Sequence, residues 1–292
     1  MKFGLYCPTF GDYSDPRYLV ELAQLAESSG WDGFFLWDHI LLTGSGLPVA
    51  DATTTLAAIA TSTNKINFGP MITPIPRRRP WKLAKELITL DHLSRGRTIL
   101  GAGIGSPDWE YTLFSENPSL KTRAEKLDEG LEIIAKMCTG KRFSHSGNQY
   151  TVLEEEIGPG SVQNPRIPTW IAGTYGSKAP FRRAARWDGV FPIKMDVDEL
   201  RKPSDSVRNW SSTWMSTAQL AEVVEYIKRQ RGSLTGFEVA YSGSTLGDSD
   251  SVASEKVQEF EESGATWWLE WILDAPNLVD KYMELIEKGP PR

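Results

Sequence analysis

The sequence predicts an α/β protein built as a (β/α)8 TIM barrel. Short runs such as Gly33–Trp37 and Thr98–Ala102 are apolar throughout, without the alternation of a half-exposed strand. Parallel strands buried on both faces read this way. About eight such runs are each followed by a stretch with helical spacing, which is the repeat of a barrel. The longest connections after strands fall at 38–52, 70–80, 103–120 and 192–215. In a barrel all four lie on the face formed by the carboxyl ends of the strands, where the chemistry sits.

The elements follow in order. Lys2–Tyr6 reads as the first strand. Asp15-Pro16 starts a helix, with Asp as cap and Pro in the first turn, and Leu19, Leu22, Ala23 and Ala26 mark its inner face up to Gly30. Strand two is Gly33–Trp37, followed by a helix over Thr53–Thr61. Strand three, Ile66–Met71, runs into the Pro/Arg loop before Pro80. A helix with Trp81, Ala84, Leu87, Ile88 and Leu90 near one face turns at Arg95-Gly96-Arg97 into strand four, Thr98–Ala102. After the loop 103–120, Leu127, Leu131, Ile134 and Met137 form the stripe of a helix that ends at Gly140. Phe143–Leu153 reads as a hairpin around Ser146-Gly147-Asn148. Because it precedes a strand, it is expected on the face opposite the chemistry. Strand five is Thr169–Ala172, with a helix over Gly176–Arg186 and strand six at Asp188–Phe191. Residues 192–215 are polar and irregular. Ser216 with Gln219 forms a capping box, and Met215 with Leu220 suits its hydrophobic staple. Gly236–Tyr241 and Ala265–Ile272 are strands seven and eight, each followed by a helix, at Asn277–Lys288 in the last case.

The 292 residues read as one domain, 1–292. A net charge of −6 gives no excess of cations for a nucleic-acid backbone. Cys7 and Cys138 suggest no disulfide framework, the N-terminus has no signal-peptide core, and no apolar run approaches a membrane span, so the expected compartment is the cytoplasm. The Asn209-Trp210-Ser211 sequon is read as chance. Eleven tryptophans are unusual; most are expected in core packing, although indoles also line cavities for flat ligands.

Asp38-His39 stands just past strand two, where a histidine beside a carboxylate suits proton transfer. Asp108 and Glu110 follow strand four. They suit acid or base work, although on their own they read as two solvated loop acids. Arg77-Arg78-Arg79 is a cationic cluster that suits an anionic ligand, a solvated loop or salt bridges to a partner subunit. Gly101, Gly103 and Gly105 alternate, but Ser106 occupies the position where a dinucleotide fingerprint needs its last glycine. A loop that lets backbone approach a ligand, or one with glycine for turn geometry, remains. Gly173-Thr174-Tyr175-Gly176-Ser177 joins a strand end to a helix start, which suits a phosphate or simply caps the helix. Three histidines without an HxH or HExxH spacing support no metal site.

Several stretches together resemble the bacterial luciferase-like monooxygenases. These are GFFLWDH at 33–39, RRPWKLAKE at 78–86, LDHLSRGR at 90–97 with LGAGIG at 100–105, IPTWIAG at 167–173, RAARWDG at 183–189 and GATWW at 264–268. The resemblance covers nearly the whole chain. It implies a luciferase-like barrel that binds FMN, or alternatively the deazaflavin coenzyme F-420, at the carboxyl ends of its strands. It implies a ring supported by a bulge or non-prolyl cis peptide within Gly69–Thr73, so Gly69, Met71, Thr73 and Ala102 are cofactor candidates. The phosphate falls to Gly103, Gly105, Gly173, Thr174, Gly176 and Ser177. Some members carry a basic residue where this chain reads Ala102-Gly103-Ile104-Gly105, so phosphate would rely on backbone donors, or on Arg182 or Lys178. Asp38, His39 and Glu110 are the catalytic candidates, with Asp38 orienting His39. The implied activity is oxygenation of a small organic substrate by reduced FMN and oxygen, with a separate flavin reductase and a homodimeric protein. One alternative is F-420-dependent hydride transfer on the same fold. Others are a barrel hydrolase using Asp38 and Glu270 as its two carboxylates, and a catalytically silent cofactor-binding subunit.

Overall fold

The chain begins with β1 (Lys2–Cys7), α1 (Pro16–Ser28), β2 (Gly33–Leu36), α2 (Ala52–Ser62), β3 (Asn67–Pro70), β4 (Thr73–Pro74) and α3 (Pro80–Ser94). It continues with β5 (Leu100–Gly103), the short α4 (Trp109–Thr112), α5 (Leu120–Cys138) and an antiparallel pair, β6 (Arg142–Ser146) and β7 (Thr151–Glu156). β8 (Thr169–Thr174), α6 (Lys178–Ala184), β9 (Gly189–Ile193), α7 (Thr217–Arg231), β10 (Glu238–Gly243), α8 (Asp250–Glu262), β11 (Trp267–Trp271) and α9 (Val279–Lys288) complete it. The computed structural model describes residues 1–42, 46–194, 214–275 and 277–292. Most of the expected 192–215 loop, with the sequon at Asn209, lies outside them.

Nine parallel strands run in the order β3-β2-β1-β11-β10-β9-β8-β5-β4. The ends meet: Phe68 on β3 bridges Thr98, with Phe68 N–H on Arg97 O at 3.2 Å and Ile99 N–H on Phe68 O at 2.9 Å. The barrel therefore closes with eight staves, the third of which is broken. β3 stops at Pro70, a cis peptide joins Met71 to Ile72, and β4 resumes the line, pairing Thr73 with Ala102 and Pro74 with Gly103 on β5. The non-prolyl cis bond falls inside the Gly69–Thr73 window. Gly69 is required by packing, because a Cβ there would stand 1.7 Å from Ile99 O.

Phe35, Met71, Ile99, Trp170, Phe191, Ala240, Trp267 and Leu269 fill the barrel interior, and Tyr6, Ile72, Ala172 and Ile193 pack on top of them. The rings of Phe35, Trp170 and Trp267 meet with centroids 5.3–5.8 Å apart. These indoles are core, as expected for most of the tryptophans. A second, larger core lies between strands and helices. Local signals act as anticipated: the Asp15 carboxylate accepts from Arg17 N–H at 2.9 Å, and Ser216 and Gln219 form a complete capping box.

The hairpin departs from expectation. It lies along the outer flank of α3 and α5, not on the far face. Tyr150 packs edge-on against Trp81 in the first turn of α3, which is the end nearest the strand carboxyl termini. Glu129 on α5 draws the hairpin turn in, accepting from Asn148, Gln149 and Tyr150 N–H groups. Backbone donors in a turn need acceptors, and a mid-helix carboxylate supplies them.

Arg97 explains why strand four starts where it does. Its guanidinium donates to Ala60 O, Thr63 O, Ile66 O, Thr63 Oγ1 and Ser94 O, all within 2.8–2.9 Å. It thereby binds the carbonyl ends of α2 and α3 and the entry to β3, where helix dipoles favour a cation. Replacing Arg97 with methionine leaves these acceptors short of donors, and is expected to cost about 3 kcal/mol in urea unfolding. A loss below about 1 kcal/mol would show that water replaces the clamp. No helix of the described residues is long and apolar enough to cross a membrane.

Candidate functional site

β2 ends at Leu36, and Trp37, Asp38 and His39 follow it at the mouth of the barrel. Asp38 and His39 are neighbours in sequence but take different partners. The Asp38 carboxylate receives Arg78 Nη2 at 3.0 Å and lies 3.7 Å from Arg77 Nη2. Arg78 also reaches Thr53 Oγ1 and Glu86. His39 Nδ1 lies 3.2 Å from Glu110 Oε1. Among the described contacts, Glu110 orients His39, and Asp38 does not.

Glu110 comes from α4, the single helical turn hidden in the long loop after β5. It is 1% exposed, so it is not the solvated loop acid that its neighbourhood suggested. Its Oε1 accepts Ile40 N–H at 2.8 Å, and Arg77 Nη1 donates to its Oε2. Arg77 Nη2 also donates to Asp38 O at 2.9 Å. Arg77 and Arg78 are thus neither solvated loop cations nor free for an anion, being paired within the chain, whereas Arg79 is exposed. Arg79 lies over the Trp81 ring.

Burial works to raise the pKa of Glu110. His39, Arg77 and the Ile40 N–H outweigh it and hold the carboxyl below its ordinary 4.5. An ionised carboxylate has no proton to donate, so Nδ1 of His39 is the donor in their bond, and Nε2 is the nitrogen that can exchange a proton with a ligand. Because the folded value is depressed, the stabilisation is full above pH 4.5 and is lost as pH falls through the folded value. Glu110→Gln is therefore expected to flatten the fall of Tm with pH below 4.5, while lowering Tm at neutral pH. An unchanged acid slope would show that other carboxylates carry it.

The loop around α4 is fastened from below by Arg123 on α5, which is 1% exposed. It donates to Gly105 O at 3.0 Å and Asp108 Oδ1 at 2.6 Å, and lies over the Tyr111 ring. Tyr111 O–H donates to Ile104 O at 2.7 Å. Sequence reading missed Arg123. Its signal was the spacing to Leu127, Leu131 and Ile134, which puts a cation on the buried stripe of α5.

The cofactor candidates divide. β4, β5 and β8 stand side by side, which brings Thr73, Ala102, Gly103, Gly173 and Thr174 to one arc of the mouth. Thr73 Oγ1 is buried without a hydrogen-bond partner. A buried hydroxyl without a partner is one that a water or a ligand can complete. Gly176 has φ +90 with nothing within 4 Å of a built Cβ, and Ser177 precedes α6 without a side-chain cap bond, so both stand open beside Lys178. These residues fit a ring on the Thr73 side and a phosphate at the β8 end. Gly69 and Met71 lie deeper, in the strand and the barrel interior. Gly105 and Gly173 are glycines for close packing, against Tyr111 and Phe181. Arg182 faces a recess of about 340 Å³ on the outside, with Asp128 held there by Arg183 and Arg186. Among the described residues, no three His, Cys, Asp or Glu side chains converge as metal ligands.

Across the mouth stand Tyr6, Trp37 and Trp271, from three adjacent staves, with ring centroids 5.1, 5.7 and 5.9 Å apart. The two carboxylates of the hydrolase reading are both occupied. Asp38 is paired with Arg78, and buried Glu270 accepts from Thr245 N–H, Thr245 O–H and the Trp268 indole. Burial raises the Glu270 carboxyl against the opposing effect of those donors.

The site is thus a buried carboxylate–imidazole pair at the mouth of a closed parallel barrel, beside a glycine-rich arc. The chain belongs to the luciferase-like monooxygenase family, whose sequence profile matches residues 1–261. It is 31% identical over 163 residues to an F-420-dependent glucose-6-phosphate dehydrogenase of Microbacterium testaceum, covering 54% of this chain and 47% of that protein. The chain thus spans about half the length of the first curated relatives it matches. The fold is shared with the coenzyme F-420-dependent tetrahydromethanopterin reductase of Methanopyrus kandleri, at TM-score 0.73, 16% identity, and 99% and 98% of the two chains. It is also shared with the oxygenating constituent of 3,6-diketocamphane monooxygenase of Pseudomonas putida in complex with FMN, at TM-score 0.63, 19% identity, and 89% and 71% of the chains. The chain is thus a member of the luciferase-like family with a TIM-barrel fold.

Proposed function

We propose that the protein is a coenzyme F-420-dependent oxidoreductase that moves a hydride to or from a small organic substrate without oxygen. The observation that carries this reading is the pair of His39 with ionised, buried Glu110. It is supported by relatives at 31% identity that are named for F-420 dependence. When bound, the deazaflavin supplies the hydride acceptor or donor, and the protein positions it. Thr73 and Ala102 would hold its ring, and Gly103, Thr174, Gly176 and Ser177 its phosphate end with Lys178. His39 takes or returns the proton of a substrate hydroxyl at Nε2. Glu110 fixes the imidazole and stabilises it when charged, and Arg77 keeps Glu110 ionised. Asp38 supports the site by holding Arg78 and the loop after β2.

The reading with reduced FMN, oxygen and a separate reductase comes second. Its support is the shared fold with the FMN-bound monooxygenase. We further propose a single domain acting as a cytoplasmic homodimer on a small molecule, with no nucleic-acid or membrane partner. Titrating the protein with F-420 and with FMN, read by absorbance and tryptophan quenching, tests the reading. F-420 alone is expected to bind. Selective binding of FMN, with oxygen consumed on adding substrate, would overturn it.

A further inference from the structure

The mouth has two chemically different sides. On the arc of β4, β5 and β8 the backbone is rich in glycine, and Lys178 and Lys194 follow β8 and β9. On the opposite arc, β11, β1 and β2 are adjacent, and the surface is aromatic. Tyr6 is in register with Trp271, and Trp37 leans on both. Trp214 extends the wall beyond Trp271, with centroids 6.4 Å apart, and Phe191 meets Tyr6 edge-on at 5.3 Å. Tyr6, Trp37, Trp214 and Trp271 are all half-buried, so each keeps part of its surface open. The Trp37 indole N–H is shielded from water and has no acceptor among the described residues. Burial raises the Tyr6 phenol well above its usual range, so it stays neutral. Among the described residues, Arg77 and Arg78 beside this arc are neutralised by Asp38, Glu110 and Glu86. His39 stands at the junction of the two sides, its ring 6.0 Å from that of Trp37.

Resting on the oxidoreductase reading, we propose that the β11–β1–β2 arc is the substrate subsite, and that it takes a flat, largely apolar ring compound whose reacting oxygen lies beside His39. Aromatic walls bind rings through face and edge contacts, and release water from surface that charged substrates would have to leave hydrated. A phosphorylated sugar, the substrate in the names of the relatives, needs an uncommitted cation here, and among the described residues beside this arc Arg77 and Arg78 are committed.

The test is a calorimetric titration of the protein loaded with F-420, using naphthalen-2-ylmethanol and glucose 6-phosphate as probes. The naphthyl alcohol is expected to bind at least about tenfold more tightly. Trp271→Leu should weaken it about tenfold and leave the F-420 titration unchanged. If that variant fails to fold, Trp271→Phe, which keeps a smaller ring, should weaken it about threefold. Equal or tighter binding of glucose 6-phosphate, or an alcohol affinity indifferent to the folded variants, overturns the substrate class while F-420 binding stands. Failure of F-420 to bind at all removes the oxidoreductase reading, and this inference with it.

Discussion

Arg77→Met is expected to cost about 3–5 kcal/mol of stability at neutral pH, because it strands a carboxylate that has no access to water. Glu110 is 1% exposed and the Arg77 side chain 4% exposed, so neither group of the pair can fall back on solvent. Arg77 also donates to Asp38 O, so its loss loosens the loop after β2. The pair joins two loops that are 33 residues apart in sequence, and its removal should be felt at both. Urea unfolding of Arg77→Met, Glu110→Gln and the double variant closes a cycle. The double variant should recover at least about 1 kcal/mol relative to the sum of the singles, since it removes the stranded charge along with the cation. Strict additivity would mean that the carboxylate is protonated or hydrated in the native state, and the mechanism assigned to Glu110 would fail with it.

The fold was legible because it depends on local pattern. Apolar runs bounded by Gly and Pro placed the staves within a few residues, and the capping residues Asp15 and Ser216 placed two helix starts. The site was less legible because its bonds are long in sequence. Glu110 meets His39 across 71 positions. α4 spans only four residues and sits behind Pro107 and Asp108, so it carries no periodicity that could reveal its buried face. The adjacency of Asp38 and His39 misled for a related reason. Neighbours on an irregular segment past a strand end need not share a direction, and these two take partners from different loops.

The stretches that made the resemblance most specific prove to be anchoring chemistry. In LDHLSRGR, Asp91 accepts the N–H groups of Val162 and Gln163, His92 Nε2 lies 2.8 Å from Gly160 O, and Arg97 clamps five oxygens. In RAARWDG, Arg183 and Arg186 hold Asp128, and Asp188 holds Arg166 and the Thr169 N–H. These bonds join helices, strand entries and loops that are distant in sequence.

His39→Ala is expected to reduce turnover about 100-fold or more, with cofactor affinity unchanged, because it removes the group that exchanges the substrate proton. Asp38→Asn provides the contrast. Asp38 touches Arg77 and Arg78 but not His39, so its variant should lose stability while keeping kcat within about threefold of the parent. Glu110→Gln should resemble the histidine variant in its effect on kcat, with little change in KM. A neutral amide cannot stabilise the charged imidazole, and it contacts no substrate. The three outcomes together separate proton transfer from scaffolding. If Asp38→Asn loses as much kcat as His39→Ala while remaining folded, the carboxylate behind the reaction is Asp38, and the assignment of Glu110 is wrong. If all three keep kcat, the imidazole is structural, and substrate protonation passes through a group the geometry does not single out. Only the pattern in which His39 and Glu110 fall together, and Asp38 does not, matches the partner that each side chain holds at the mouth.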